Sequence, residues 1–306
     1  MPRSNLQIKV GTYTGNGVDS TNITGVGFRP DLVIVKGGAN IACWRNKHNR
    51  GDSTMYLAGN TANFADGIQE ILSDGFQVGT DAKVNANGTT YYYIAIRGTS
   101  GQSHFKTGRY YGNATDARQL TAQGIDFTPD IFFVKGNRAD NPSVKTTEST
   151  GDNSWHFSGS IDAANEIQDL IANGVELGTS SRVNGATTEE YFFAALKKLS
   201  GAIQSFTYTG NGVDGREITG LGFQPDFVIV KNATATNAAC IRTSDFSGDS
   251  SASVGASTAT TNQIQSFTSD GFTVGTSAPV NTDATVYWGF AFKAGDFNAP
   301  ITRTTA

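Results

Sequence analysis

Three short apolar runs recur along the chain, each preceded by a Pro-Asp pair and two of them in nearly the same letters. They occupy residues 33–35, 131–134 and 228–230, and each is followed by a lysine. A continuous apolar run of this length predicts a central strand buried on both faces, with the proline ending the preceding loop. The aromatic and apolar segments 91–96, 191–196 and 286–292 predict the last core strand of each unit.

Two Asp-Gly pairs, Asp74-Gly75 and Asp270-Gly271, separate further apolar segments. The flanking segments are 68–72 and 76–78 for the first pair, and 264–267 and 272–274 for the second. Asp-Gly suits the positive φ angles of a type I′ turn, so both places predict β-hairpins. In the middle of the chain, residues 163–171 also have a plausible helical pattern. We therefore expect a strand before the turn in the third unit, and allow one helical turn there in the first two.

These elements belong to an internal repeat. Residues 12–19, which read Thr-Tyr-Thr-Gly-Asn-Gly-Val-Asp, return letter for letter as residues 207–214, and the middle copy is more diverged. The repeats run approximately over 7–98, 104–198 and 204–294. A period this long indicates a string of domains, because solenoid units usually have about 20–50 residues.

The sequence therefore predicts an all-β protein of three tandem antiparallel β-sandwich modules of jelly-roll-like type. We place the modules at 1–99, 100–200 and 201–306. The links near 99–101 and 199–201 are very short, so they hold the modules close together. A rigid rod and a pseudo-threefold cluster both remain open at this point.

Composition and charge exclude several classes of protein. The net charge is −4, so no global basic face for nucleic acid is expected. No stretch approaches the roughly 18 apolar residues of a membrane span, and the first residues lack the apolar core of a secretory signal. We expect no nucleic-acid partner and no membrane insertion.

The two cysteines, Cys43 and Cys240, occupy the same place in two different repeats, where the middle repeat has Ser143. Equivalent points of separate modules do not readily meet within the ~7 Å Cα spacing that a disulfide requires. We predict two buried free thiols, no metal site and no cofactor.

Catalytic chemistry is sparse. The histidines, His48, His104 and His156, fall at unrelated positions of the modules. The recurring acids follow Pro or Gly, which is typical of turn and capping chemistry, and they are Asp31, Asp130, Asp226, Asp52, Asp152 and Asp249. We predict no catalytic residues. In the Arg50-Gly51-Asp52 tripeptide, Gly-Asp is interpreted as part of the turn, because the other copies keep it. The preceding arginine is interpreted as incidental to that motif, because the other copies lack it.

One segment breaks the repeat and gives the candidate binding residues. They are Trp44, Arg45, Lys47, His48 and Arg50. An exposed tryptophan beside several cations could stack on a sugar ring or dock on an acidic neighbour. The alternative, which we favour, is a tryptophan buried at a strand end beneath a solvated basic loop. The loop 136–142 of the middle copy also differs in sequence from the corresponding loops of the first and third copies.

The repeated motifs resemble a module of tailed-bacteriophage virion proteins, especially tail-fibre and other surface proteins. The motifs are Tyr-Thr-Gly-Asn-Gly, Gly-Phe-x-Pro-Asp-x-Val-x-x-Lys, Ser-Asp-Gly-Phe-x-Val-Gly and the aromatic last strand. The resemblance implies a non-enzymatic structural virion protein, either tail-associated or a capsid decoration. It would be made in the host cytoplasm and be oligomeric in the particle, with other virion proteins as partners.

Two further hypotheses stay open. The first is an extracellular or receptor-directed protein that binds host surface glycans through module loops such as 44–50. The second is a glycan-cleaving enzyme, which would need paired carboxylates about 5–10 Å apart.

Overall fold

A computed structural model describes residues 5–98, 104–158 and 163–298, and the regular elements of that part of the chain are strands apart from three four-residue helices. The first module contains β1 (Asn5–Thr14), β2 (Thr21–Thr24), β3 (Leu32–Gly37), β4 (Cys43–Asn46), β5 (Met55–Tyr56), β6 (Ile68–Leu72), β7 (Gly75–Val78), helix α1 (Ala82–Asn85) and β8 (Thr90–Arg97). The second contains β9 (Phe105–Tyr111), β10 (Arg118–Leu120), β11 (Ile131–Gly136), β12 (Ser143–Thr146), β13 (Asn153–His156), β14 (Ala163–Ala164), β15 (Ile167–Ile171), β16 (Gly174–Leu177), helix α2 (Ser181–Asn184) and β17 (Glu190–Leu196). The third contains β18 (Ile203–Thr209), β19 (Arg216–Thr219), β20 (Phe227–Asn232), β21 (Cys240–Thr243), β22 (Ala252–Ser253), β23 (Ile264–Thr268), β24 (Gly271–Val274), helix α3 (Ala278–Asn281) and β25 (Val286–Phe292), and it is followed by β26 (Gly295–Asn298).

Each module is an antiparallel sandwich of one large and one small sheet. In the first module the large sheet has the order β1-β8-β3-β4-β5 and the small sheet the order β2-β7-β6. The chain alternates between the two sheets over β1, β2 and β3, and β8 returns between β1 and β3. This is the wrapping expected of a jelly-roll-like unit, and it recurs in all three modules. The predicted fold class is confirmed.

The strands predicted to be buried on both faces owe this to two different cores. Every residue of β3 is buried. Val33 and Val35 pack with Phe76 of the small sheet, inside the module. Ile34 points the other way, into a cluster that also contains Phe133 and Phe290 of the other modules. The outer faces of the three large sheets therefore meet in one shared core.

The contacts between modules run in a cycle, which decides between the rod and the cluster. The end of β4 reaches the second module, where Asn46 Nδ2 donates to Gly108 O at 3.2 Å. The loop after β12 reaches the third module through Thr147 and Ser205, whose hydroxyl oxygens are 3.1 Å apart. The loop after β21 returns to the first module, where Phe246 stacks on Tyr92. The three modules form a closed pseudo-threefold ring, and we call its three interfaces the 1–2, 2–3 and 3–1 seams.

Main-chain bonds near the start of the fourth strand also repeat at the seams, but each reaches the module on the other side from the one that the following loop contacts. Ala42 N donates to Val254 O at 2.9 Å and Ala239 N donates to Phe157 O at 2.7 Å. The residue that corresponds to Ala42 and Ala239 in the second module is Pro142, which has no N–H to donate. The ring is therefore threefold in architecture but not in detail.

The last described strand closes the ring. β26 pairs antiparallel with β1 and places Gly295 opposite Ile8. The turn between β17 and β18 makes the corresponding pairing, Leu199 with Ile203, within continuous chain. β26 therefore connects the third module to the first in the same way that the turn between β17 and β18 connects the second module to the third. Sequence reasoning missed this strand, because it lies after the last repeat.

Two local predictions are corrected. The segment before each hairpin turn is a strand in all three modules, not a helical turn in the first two. A β-bulge shifts the register between Ile68 and Glu70 and between Ile167 and Asp169, so that inward residues are three apart, as in a helix. The Asp-Gly turns form hairpins, but Asp74 and Asp270 do not have positive φ. Their carboxylates instead accept hydrogen bonds, at 2.6–3.0 Å, from glycine N–H groups in the loop that follows β2 in the first module and β19 in the third.

Candidate functional site

Trp44 lies in the shared core and not on the surface. Its side chain is fully buried, and its ring meets Phe133 of the second module edge to face at a centroid distance of 5.1 Å. The alternation of β4 turns this side chain away from its own sandwich, which is why it reaches another module. Trp44 therefore has no exposed face on which a sugar could stack. Of the two interpretations of this residue, an exposed or a buried tryptophan, the structure has the buried one.

Arg45 is also withdrawn from solvent, with 5% of its surface exposed. Its guanidinium donates to the carbonyl oxygens of Ser53 at 2.6 Å and Gly51 at 2.7 Å, which shapes the loop around the Gly-Asp pair. Arg242 and Lys145 hold the corresponding loops of the other modules in the same way. Arg45 is therefore a loop-forming residue of the framework.

The remaining candidates lie on the loop at the 1–2 seam and do not converge on one point. Lys47 Nζ is 2.9 Å from Asp31 Oδ1 in an ion pair. Burial, together with the neighbouring Lys47 charge, lowers the pKa of His48. The side chain of Arg50 is 64% exposed and lies 4.0 Å from Glu190 of the second module. Such an exposed pair contributes little to stability.

The recurring carboxylates accept hydrogen bonds from backbone N–H groups, as predicted, but the donors are not the nearby residues that turn and capping chemistry would use. Asp52 Oδ2 accepts from Asp66 N at 2.7 Å, and Asp31 Oδ2 accepts from Gly98 N at 2.9 Å. The same bonds recur in the other modules for Asp130, Asp152, Asp226 and Asp249. The donors lie on other segments of the module, so each carboxylate ties two segments together.

The first and last motifs of each repeat meet through one buried asparagine. Asn85 accepts from Asn16 N at 2.9 Å and donates to Val18 O at 2.8 Å, which fixes the Thr-Gly-Asn-Gly loop against helix α1. A Cβ on Gly15 would lie 2.3 Å from Ala86 O, so only glycine fits there. Asn184 and Asn281 make the corresponding bonds. The motifs that define the repeat are thus framework residues.

A buried lysine is the last residue but one of each central strand. Lys36 Nζ donates to the carbonyl oxygens of Gly38, Asn40 and Ser257 at 3.1, 2.5 and 2.9 Å, and Ser257 belongs to the third module. Burial lowers the pKa of Lys36 from its usual 10.5 to about 8, and that of Lys135 likewise. Three carbonyl bonds keep the charged form in place despite the cost of burial.

The second module carries a charged network that its neighbours lack. Glu166 is 2% exposed and accepts from Ser143 Oγ at 2.6 Å, from His156 Nε2 at 2.9 Å and from Arg182 at 3.2 Å. Burial alone would raise the pKa of Glu166, but these hydrogen bonds and the Arg182 charge outweigh it, so that pKa is lowered. The first module has Cys43, Tyr56 and Gly67 at the corresponding positions, and sequence reasoning did not detect the network.

Both cysteines are buried free thiols, as predicted. Within residues 5–98, 104–158 and 163–298, no group of three or more His, Cys, Asp or Glu residues could hold a metal ion. No helix of that part of the chain is long and apolar enough to cross a membrane.

The 3–1 seam departs from threefold symmetry at the contact between Tyr92 and Phe246. Their rings stack with centroids 3.8 Å apart and an interplanar angle of 11°. A cavity of about 210 Å³ lies beside them and is lined by residues of both the first and the third module. An apolar residue at position 246, in a loop that has Asn49 and Ser149 in the other copies, is the signal that sequence reasoning missed.

The first and third modules match one known protein family. Residues 7–99 and 198–305 fit the family described as Domain of unknown function (DUF7483). The chain belongs to this family. No curated protein and no solved structure matches the chain. The DUF7483 match omits the second module, in which the repeat motifs diverge most and the charged network occurs.

Proposed function

We propose that this chain is a non-enzymatic structural component of a tailed-bacteriophage virion, carried on the surface of the capsid or the tail. The observation that carries the proposal is the closed ring, in which one polypeptide offers three related modules around a shared core. The resemblance of the repeat motifs to phage surface modules supports the same assignment.

The ring suits a position of threefold symmetry in a larger assembly. A particle built of identical subunits presents three equal surfaces around such a point, and three related modules can each contact one of them. Three linked contacts bind more tightly than one, because the second and third form within one complex. A ring closed within one chain is also bound as a single unit, with no prior trimerisation step.

The use of the repeated carboxylates favours a structural role over a glycan-cleaving one. Asp31 and Asp52, with their counterparts, accept hydrogen bonds from backbone N–H groups and so join two segments within each module. A general acid needs a carboxyl that can exchange its proton with substrate. The receptor-binding alternative loses its stacking platform, since Trp44 is buried. It would have to use another site.

Cryo-electron microscopy of the purified particle tests the proposal. We expect ordered density for the ring on the capsid or tail, centred on a threefold position, and loss of that density in particles from a strain that lacks the gene. Mass spectrometry of the same particles should detect the chain at a fixed ratio to a major structural protein. Its absence from purified particles would refute a virion role.

A further inference from the structure

One position of the framework differs in chemistry between the second module and its neighbours. The side chain that shapes the Gly-Asp loop is an arginine in the first and third modules, Arg45 and Arg242, and a lysine in the second, Lys145. A guanidinium carries five N–H donors in a planar fork, whereas an ammonium is compact and has three. The two kinds of side chain therefore fill the space beside this loop differently.

The guanidinium groups of the first and third modules connect the loop to the small sheet. Arg45 donates to four carbonyl oxygens at 2.6–3.3 Å, three on the loop and one on β6, which are those of Asn49, Gly51, Ser53 and Ile68. Arg242 makes the corresponding four bonds and also lies over the ring of Phe267, at 5.8 Å from its centroid. Burial lowers the pKa of Arg45, while the charges of Asp52 and Glu70 oppose that shift. The surroundings of the guanidinium thus combine carbonyl oxygens with carboxylates.

The second module has a cavity at this place. Lys145 donates to Gly151 O at 2.7 Å and to Asn153 O at 3.0 Å, both at the Gly-Asp loop. A cavity of about 580 Å³ is lined by the loop from Lys145 to Asp152 on one side and by β15 and β16 on the other. Its wall includes Leu170, which corresponds to Phe267 beside the guanidinium of the third module. We call it the loop cavity, and it lies where the other two modules hold a guanidinium group.

Carboxylates make the loop cavity acidic. Asp152, Asp169 and Glu176 line it together with the ammonium of Lys145, and three negative charges against one positive leave a net charge of −2. Asp152 and Asp169 are exposed, so a ligand can reach them from solvent. A carboxylate can accept about four hydrogen bonds, and Asp152 uses Oδ2 for Asn165 N at 3.2 Å, so acceptor capacity remains.

The charge and the chemistry of the wall define the ligand class. The described residues include no group that could hold a metal ion, so the negative charge points to an organic cation. Planar guanidinium groups bind carboxylates through paired hydrogen bonds, which makes them the cation that best fits several carboxylates at once. The other modules show that the corresponding place in the same fold accommodates this group.

We propose that the loop cavity binds the guanidinium group of an arginine side chain presented by a partner protein, with Asp152, Asp169 and Glu176 as the acceptors. In the first and third modules the chain's own arginine holds the corresponding place, so the second module is the one that takes an arginine from outside. This inference goes beyond a structural role and does not depend on it, because it concerns the isolated chain.

Titration of the purified full-length chain with N-acetyl-L-arginine amide and with N-acetyl-L-citrulline amide tests the site, since the two have nearly the same shape and differ in charge. We expect the arginine derivative to bind with a Kd in the millimolar range and the citrulline derivative at least about tenfold more weakly, which corresponds to about 1.4 kcal/mol. Equal affinity would overturn recognition of the charge, and no binding of the arginine derivative would overturn the site. Free L-arginine should bind no more tightly than the amide; clearly tighter binding would overturn the assignment to a partner's side chain.

Nuclear magnetic resonance of the same titration locates the ligand. The arginine derivative should shift the amide resonance of Gly151 and leave those of Gly51 and Gly248, the corresponding glycines of the other modules, in place. Shifts confined to Gly51 and Gly248 would contradict the assignment to the second module.

Two variants and a matched control test the wall of the loop cavity. Lys145→Arg should abolish binding, because the longer side chain brings its own guanidinium to the site, and it should keep the denaturant midpoint, because Arg45 and Arg242 occupy this position in the same fold. Asp169→Asn should weaken binding several-fold. Glu70→Gln is the control, since Glu70 is the exposed acid at the same place in the first module, and it should bind like the unmodified chain. Unchanged binding by Lys145→Arg or Asp169→Asn, or an equal loss in Glu70→Gln, would overturn the location.

Discussion

Replacing Trp44 gives the most direct test of the shared core. An exposed tryptophan and a buried one predict very different losses in the free energy of unfolding. A surface tryptophan contributes little to folding, whereas this one is fully buried against another module. Replacing a buried tryptophan with alanine removes its contacts and leaves a cavity, which together cost about 3–5 kcal/mol. We therefore expect Trp44→Ala to lower the free energy of unfolding by about that amount.

The contact between Trp44 and Phe133 can be isolated with a double-mutant cycle. An edge-to-face aromatic pair contributes about 0.5–1.5 kcal/mol beyond its buried area. The single variants Trp44→Ala and Phe133→Ala and their combination should therefore show a coupling of that size. Since these residues come from different modules, the coupling measures closure of the ring in solution.

Guanidinium unfolding, followed by both fluorescence and circular dichroism, provides the assay. We expect one transition that coincides in both signals, because three modules that share a core unfold together. Arg50→Ala is the control, since its exposed side chain predicts a change within about 0.5 kcal/mol. The reasoning fails if Trp44→Ala shifts the midpoint no more than Arg50→Ala, or if the coupling is zero.

Three other outcomes follow from buried groups and from the ring. Because the folded pKa of Lys36 and Lys135 is about 8 against a usual 10.5, the unfolded chain holds more protons between these values. The free energy of unfolding should thus rise from about pH 8 to about pH 10, and a flat or falling denaturant midpoint there would contradict it. Burial raises the pKa of Cys43 and Cys240, so both thiols should resist a thiol reagent until the chain unfolds; rapid modification of the native protein would refute this. A circular permutant that joins β26 to β1 through a short linker and opens the turn between β17 and β18 should keep a denaturant midpoint close to that of the parent, whereas an unfolded product would show that the two connections are not equivalent.

Much of each module could be predicted from the sequence because its signals are local or repeated. The Pro-Asp run predicted the central strand, and the Asp-Gly pairs predicted the hairpins. The register differs by one residue from that of an Asp-Gly type I′ turn, because Leu72 pairs with Gly75. The bulge at Ile68 was not predictable, since it changes the strand period from two to three and so imitates a helix. Asp74 was assigned to the right turn with the wrong backbone angle, because its true partners are amides about 50 residues earlier.

The candidate binding residues could not be judged from one module. Whether Trp44 faces solvent or a core depends on what covers the outer face of its sheet, and the covering residues come from the second module. The same holds for the cavity beside Tyr92 and Phe246, two residues that lie more than 150 positions apart in the chain. The position of β26 depends likewise on closure of the ring and not on any pattern in its four residues.

The joining of three modules in one chain has a consequence that separate subunits could not share. In a trimer of identical chains, every substitution appears three times, so all three interfaces must change together. Here a substitution at Phe246 alters one seam and leaves the residues that correspond to it, Asn49 and Ser149, as they are. The closed chain keeps the mechanical advantage of a symmetric ring while each interface can acquire its own chemistry.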